Sequence, residues 1–250
     1  MAKQIRSVTV PMIARNLGII LWAFSSAVVC GLAACLLSPF SITAARNAER
    51  WWHKHVLVAC GVEVITEGFE RLDKNQRYIF IANHQSYFDI PVLSFGIKRH
   101  LSFVAKKELF NIPFFGWGMS AVGHVKIDRT NPRKARESIT RAVSTLQQKN
   151  ISLVLFPEGT RSLNGRLNDF KRASFTLALE AGVPIVPVAI CGAWKINRKG
   201  SMRIVPGQVK LIITDPILPD VTQTMDKTQI AEKVHGIIAQ TLDDSLGAND

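Results

Sequence analysis

Two short polar segments of this chain each follow an apolar run, and their side chains are of the types that move a proton and hold an anion. The first is Asn83-His84-Gln85-Ser86-Tyr87-Phe88-Asp89, directly after Tyr78-Ile79-Phe80-Ile81-Ala82. An imidazole that shares one nitrogen with a carboxylate is fixed in orientation, and its charged form is stabilised. The other nitrogen is then free to act as a general base. His84 and Asp89 are five residues apart. On one helix they would lie about 140° out of phase, so they meet only if His84 sits in a turn and Asp89 opens the helix. Pro91 favours that start, because proline fits a first helical turn and not an interior. Spacing alone leaves a second reading open, in which Asp89 caps a helix and His84 is a satisfied structural residue.

The second segment is Phe156-Pro157-Glu158-Gly159-Thr160-Arg161-Ser162, after the apolar Leu153-Val154-Leu155. Gly159 permits close backbone approach or a positive φ. Arg161 offers a planar fork matched to a phosphate, and Thr160 adds a hydroxyl. Arg166, Lys171 and Arg172 add positive field nearby. A strand-to-loop turn with a surface arginine fits the same residues. A third stretch, 103–129, sets Lys106 and Lys107 after one β-like run and Asp128 and Arg129 after the next. The apolar residues 112–119 between them suit either a core or an exposed lipid-facing surface. Phe114 and Met119 are expected in the core, and Trp117, between two glycines, fits either place.

The elements that must position these groups alternate from about residue 62 onward. Runs at 62–66, 78–83, 101–105, 124–127, 151–156, 185–190 and 209–214 are rich in β-branched and aromatic residues and mostly too short for helices. Several are almost wholly apolar, as strands covered on both faces are. Asn131 and Pro132 read as an N-cap and first helical residue, with an apolar stripe after them at Ala135, Ile139, Val143 and Leu146. Further helices are expected over 168–181, ended by Gly182, and over 227–243, striped by Ile230, Val234, Ile237 and Leu242. Strands alternating with helices imply an α/β fold: a mixed, mostly parallel sheet flanked by helices. Active groups at strand ends, ahead of a helix, sit where such folds present their sites.

Ahead of this unit lies a different segment. No charged residue occurs from Leu17 to Phe40, and as a helix those residues would be roughly 36 Å long against a hydrocarbon core of roughly 30 Å. The run is too long for a signal peptide's apolar region, and no clean small-residue cleavage site comes after it. Ser41 or Thr43 can then cap a second helix, in which Trp51 and Trp52 stand beside Arg46, Arg50 and Lys54 as headgroup-zone residues do. Basic residues flank the apolar run on both sides, which suits a re-entrant or in-plane hairpin with both ends on the cytosolic side. Residues 1–61 are therefore expected to anchor the chain to a membrane, and 62–250 to form the catalytic domain. The formal charge of +12 favours anionic partners without choosing among nucleic acid, lipid surface and phosphorylated substrate. The four cysteines form no C-x-x-C pair, so neither a metal site nor a disulfide framework is expected. Neither a P-loop nor a G-x-G-x-x-G supports nucleotide binding.

The ordered set N-H-Q-S-Y-F-D, A-K-K-E-L-F-N-I-P-F-F-G-W, V-K-I-D-R, F-P-E-G-T-R-S and V-P-I-V-P-V-A-I resembles the four-motif signature of the glycerolipid acyltransferases, in particular the bacterial 1-acylglycerol-3-phosphate acyltransferases. The resemblance covers roughly residues 60–215. It implies transfer of an acyl chain from a thioester donor to the sn-2 hydroxyl of lysophosphatidic acid, giving phosphatidic acid. His84 would be the general base and Asp89 its orienting partner, with no acyl-enzyme. Lys106, Glu158, Gly159, Thr160 and Arg161 would hold the acceptor's phosphate, and Val183-Pro184-Ile185 with the residues after them would line an acyl channel. A nearby lysine or backbone amide would stabilise the oxyanion. The resemblance implies no metal or bound cofactor. It implies acyl-CoA or an acylated carrier protein as donor, membrane lipids as surroundings, no nucleic acid, and a catalytic domain on the cytoplasmic side. Another acceptor (glycerol-3-phosphate, another lysophospholipid or a lyso-aminolipid) fits the same motifs. A membrane-bound lipid serine hydrolase would need Ser86 or Ser162 as nucleophile, and no G-x-S-x-G elbow is present. A binding module for anionic lipid would leave the placement of His84 and Asp89 unexplained.

Overall fold

The computed structural model describes residues 2–128, 132–149 and 151–247. Seven strands form one sheet: β1 (Val62–Glu67), β2 (Ile79–Ala82), β3 (Leu101–Lys106), β4 (Val125–Ile127), β5 (Ser152–Leu155), β6 (Ile185–Cys191) and β7 (Gly207–Ile213). Their spatial order is β1-β7-β6-β2-β5-β3-β4. β6, β2, β5, β3 and β4 run parallel, with Phe80 opposite Val154 and Val186. β7 is antiparallel to β6 and parallel to β1. Each expected strand is present within two residues of its expected ends. The five parallel strands therefore deliver the residues after β2, β3, β4, β5 and β6 to a single edge of the sheet.

The helices are α1 (Ala2–Leu37), α2 (Ile42–Ala59), α3 (Asp89–Gly96), α4 (Phe115–Val122), α5 (Pro132–Lys149), α6 (Ala173–Ala181), α7 (Ala193–Ile196), α8 (Pro219–Gln223) and α9 (Lys227–Gly247). Successive strand residues point to opposite faces, and both faces are covered. Phe80, Ala82, Val154 and Val188 pack with Val92 and Leu93 of α3 and with Leu57 and Cys60 at the end of α2. Ile79, Ile81, Leu153 and Leu155 pack with Leu146 of α5, Phe175 of α6 and Val234 of α9. Apolar residues at every strand position thus produce three layers, helix on sheet on helix. Truncating a side chain such as Phe80, fully buried, to alanine costs about 3–5 kcal/mol.

α1 and α2 form a hairpin whose turn is capped by Ser41, with the hydroxyl accepting from Ala44 N–H. The hairpin packs on α4 through glycines. A Cβ added to Gly118 would lie 2.6 Å from Gly31 Cα, and one on Gly31 would lie 2.5 Å from the Phe114 carbonyl oxygen. A side chain at either position would push the two helices apart. α2 also carries a buried polar cluster: Arg46 Nε donates to Val122 O at 3.0 Å, and His124 Nε2 lies 2.7 Å from Glu49 Oε1. Burial pushes the Glu49 carboxyl up, but His124, His53 and Arg46 outweigh it and leave it below its ordinary range. Burial pushes the His53 imidazole down to about 4, with Glu49 opposing.

Three expectations need correction. The helix expected from residue 168 begins only at Ala173: residues 168–171 are tied back to the turn after β5, with Asn168 donating to Glu158 and Lys171 N–H to Pro157 O. Phe114 is not core: it is 38% exposed, with a positive φ of 64°. The glycine contacts seat the backbone of this segment on α1 and turn its large side chains outward, so Trp117, 52% exposed, faces out as well. The last helix runs four residues past its expected end, to Gly247. Arg129, Asn131 and the side chain of Ala135 lie outside the described residues.

Candidate active site

β2 ends at Ala82, and the next residue takes the backbone out of the sheet. Asn83 makes that exit possible: its side-chain amide donates to Ile190 O at 2.9 Å and accepts from Ile190 N–H at 2.7 Å. One side chain thereby replaces a rung of the β2–β6 ladder, and residues 84–88 are free to turn. Asp89 is the first residue of α3, with Pro91 in the same turn. Its carboxylate, buried completely, folds back over the loop. Oδ2 accepts from Gln85 N–H at 2.7 Å and Ser86 N–H at 2.9 Å, and lies 2.7 Å from His84 Nδ1. The same oxygen thus fixes the loop backbone and the ring. Nδ1 is engaged, so Nε2 is the ring nitrogen left to react. The ring stacks on Phe156 with centroids 4.2 Å apart. Its side chain is 20% exposed, so one edge reaches solvent.

The turn after β5 is fastened to His84 at both ends. His84 N–H donates to Glu158 Oε1 at 2.6 Å, and Ser162 N–H donates to His84 O at 2.8 Å. Glu158 lies inside the protein. It is 3% exposed, and its other oxygen accepts from Asn168 N–H at 3.2 Å and Nδ2 at 2.5 Å. Burial raises its pKa, opposed by those same hydrogen bonds. With both oxygens engaged inside the protein, Glu158 holds the turn against the His84 loop. Gly159 supplies the positive φ of 71° that the turn requires. Thr160 and Arg161 are carried outward. The Arg161 guanidinium lies 3.5 Å from the Tyr87 ring centroid, and its Nη1 is buried without a hydrogen-bond partner among the described residues. An unpaired guanidinium nitrogen clamped over an aromatic face, in a turn fastened to the His84 loop, is suited to an anionic oxygen. Lys106 ends β3 on the same edge and is exposed.

Several groups here were not singled out by sequence reading. Phe156, Asn83, Gln85 (Nε2 to Gly165 O, 2.8 Å), Asn168 and Lys199 (Nζ to Thr160 Oγ1, 2.8 Å) all shape the site. Asn83 and Gln85 at least sat inside a motif, whereas Lys199 had no local signal beyond the basic run 198–199. Ser86 is fully buried and donates its hydroxyl to Asn197 O at 2.9 Å. Ser162, also buried, donates to Asn164 Oδ1 at 3.1 Å. Neither hydroxyl is presented as a nucleophile. Among the described residues, no group of three or more His, Cys, Asp or Glu side chains is placed to hold a metal ion.

Residues 63–191 match the family model described as Acyltransferase. A 1-acyl-sn-glycerol-3-phosphate acyltransferase of Cocos nucifera is 32% identical over 221 residues, 87% of this chain and 71% of that protein. One of Escherichia coli is 39% identical over 154 residues, 62% of this chain and 61% of that protein. The crystal structure of the 1-acyl-sn-glycerophosphate (LPA) acyltransferase PlsC of Thermotoga maritima superposes with a TM-score of 0.81 at 26% identity, over 94% of this chain and 96% of that one.

Proposed function

The chain belongs to the glycerolipid acyltransferase family and is an acyltransferase, and from that premise we propose that it acylates the sn-2 hydroxyl of 1-acylglycerol 3-phosphate to give phosphatidic acid. The observation that carries the mechanism is the contact of His84 Nδ1 with a fully buried carboxylate oxygen already fixed by two backbone N–H groups. His84 Nε2 takes the proton of the acceptor hydroxyl as its oxygen attacks the thioester carbonyl. The Asp89 carboxylate holds the ring and stabilises the imidazolium that forms. Collapse of the tetrahedral intermediate breaks the carbon–sulfur bond, and the imidazolium returns the proton to the leaving thiolate. Arg161 is our choice for the acceptor's phosphate, with Thr160, the Gly159 turn and Lys106 around it. Glu158 serves by holding that turn in place. The donor is acyl-CoA or an acylated carrier protein, both anionic, as the basic composition suits.

We assign residues 1–61 to membrane attachment and 62–250 to catalysis. The apolar part of α1, Ala14–Leu37, is long enough to cross a bilayer, and few of its residues are buried. Ile19 and Ile20 pack against the core, and Gly31 packs on α4, so the folded body borders this helix along its length. That contact supports a helix lying in one leaflet, with Leu21, Phe24, Val29, Leu36, Phe40 and Trp117 exposed to lipid, and both ends of the hairpin on the cytoplasmic side. The test is acyl transfer from a labelled thioester to a panel of acceptors: lysophosphatidic acid, glycerol-3-phosphate, other lysophospholipids and a lyso-aminolipid. Lysophosphatidic acid should have the highest kcat/KM, and His84→Ala should remove the activity. Activity surviving that substitution would refute the mechanism.

A further inference from the structure

We infer that Lys199 is a second cation for the acceptor's phosphate, shared with Arg161, and that it helps set the preference for phosphate monoesters. The inference rests on the acceptor reading above. Lys199 lies in the loop after α7, and its Nζ reaches across to donate to Thr160 Oγ1 at 2.8 Å. Thr160 adjoins Arg161, and their turn is pinned at Glu158 and Ser162 to the two sides of the His84 peptide. The ammonium is therefore held on the residue that precedes Arg161, in the turn fastened to the His84 loop.

The chemistry asks for such a partner. A phosphate monoester carries about 1.5–2 negative charges near neutral pH, and a single guanidinium leaves part of that charge uncompensated. Arg161 presents one buried nitrogen with nothing to bond among the described residues. Lys199, partly exposed, has three donors and uses one on the neutral Thr160 hydroxyl. A phosphate oxygen is a better acceptor for that ammonium than a hydroxyl, so the lysine can turn from Thr160 to the phosphate by side-chain rotation alone. The loop holds the lysine in reach. Asn197 is buried, and its Nδ2 donates to Ser201 O and Arg203 O at 2.9 and 3.0 Å. Arg198 stacks over Trp194 at 4.0 Å.

The experiment compares wild type, Lys199→Ala and Lys199→Arg as full-length protein in mixed micelles, varying lysophosphatidic acid and the acyl donor independently and recording melting temperatures. Lys199→Ala should raise KM for lysophosphatidic acid about tenfold, the low end of what a charge-assisted hydrogen bond supplies. Its kcat, donor KM and melting temperature should stay near wild type, and Lys199→Arg should restore most of the acceptor KM. An unchanged acceptor KM in an active Lys199→Ala enzyme overturns the inference, as does an increase confined to the donor's KM or a defect that Lys199→Arg leaves unrepaired. If wild type prefers acceptors without a phosphate monoester, the acceptor reading itself fails, an outcome separable because the variant is not needed to see it.

Discussion

Replacing Asp89 by asparagine separates the geometric from the electrostatic part of the His84–Asp89 pair. With its amide oxygen at the Oδ2 position, the introduced side chain would still accept from Gln85 N–H, Ser86 N–H and His84 Nδ1, so loop and ring keep their places. The amide nitrogen would then occupy the Oδ1 position, which is buried and has no hydrogen-bond partner among the described residues. An unsatisfied buried donor costs about 1–3 kcal/mol of stability. The loss of charge acts on the rate. Nδ1 and Oδ2 are 2.7 Å apart, and with both charges delocalised their centres lie about 4 Å apart. At an effective dielectric constant of about 20, that attraction is worth about 4 kcal/mol. It acts only once the imidazolium forms, so its removal should lower kcat about 10³-fold. The assay is single-turnover and steady-state acyl transfer on purified full-length protein, with a thermal melt to show that the variant is folded. If folded Asp89→Asn retained more than a tenth of wild-type kcat while His84→Ala was inactive, the carboxylate's charge would have no part in proton transfer.

Ser86→Ala should keep kcat within about threefold. Its cost falls on stability, about 1–2 kcal/mol for the lost buried bond to Asn197 O, read as a lower melting temperature. Loss of activity in a folded Ser86→Ala would instead favour a serine nucleophile. His53 should make the fold acid-sensitive. Its pKa is pushed down to about 4 by burial, against about 6.5 in an unfolded chain. The unfolded state therefore binds more protons between these values, and stability is complete above about pH 6.5 and falls as pH drops toward 4. The loss is of order 3 kcal/mol. Denaturant unfolding as a function of pH should show this slope in wild type and a weaker one in His53→Leu, whereas equal slopes would refute the assignment.

The strands were legible because buried parallel strands need apolar residues at every position, and Ile79-Phe80-Ile81-Ala82 or Ile185-Val186-Pro187-Val188 can hardly be anything else. The turn–helix placement of His84 and Asp89 was legible for a local reason as well: proline at 91 and a carboxylate two residues earlier mark a helix start. The burial of Glu158 was not legible, because a carboxylate in a Gly-containing turn has no local sign of it. Its partners, His84 N–H and Asn168, come from other strand ends and loops. The same limit hid Phe156 behind the imidazole and Lys199 on Thr160, and it put Phe114 in a core that glycine packing of α1 on α4 denies it. Periodicity and capping act between near neighbours, so the residues alone specified the α/β fold, the apolar first helix, and a turn at His84 ahead of a helix that starts at Asp89. Which groups surround that imidazole depended on the folded chain. Those contacts join strand ends that the parallel sheet brings together from far apart in the sequence.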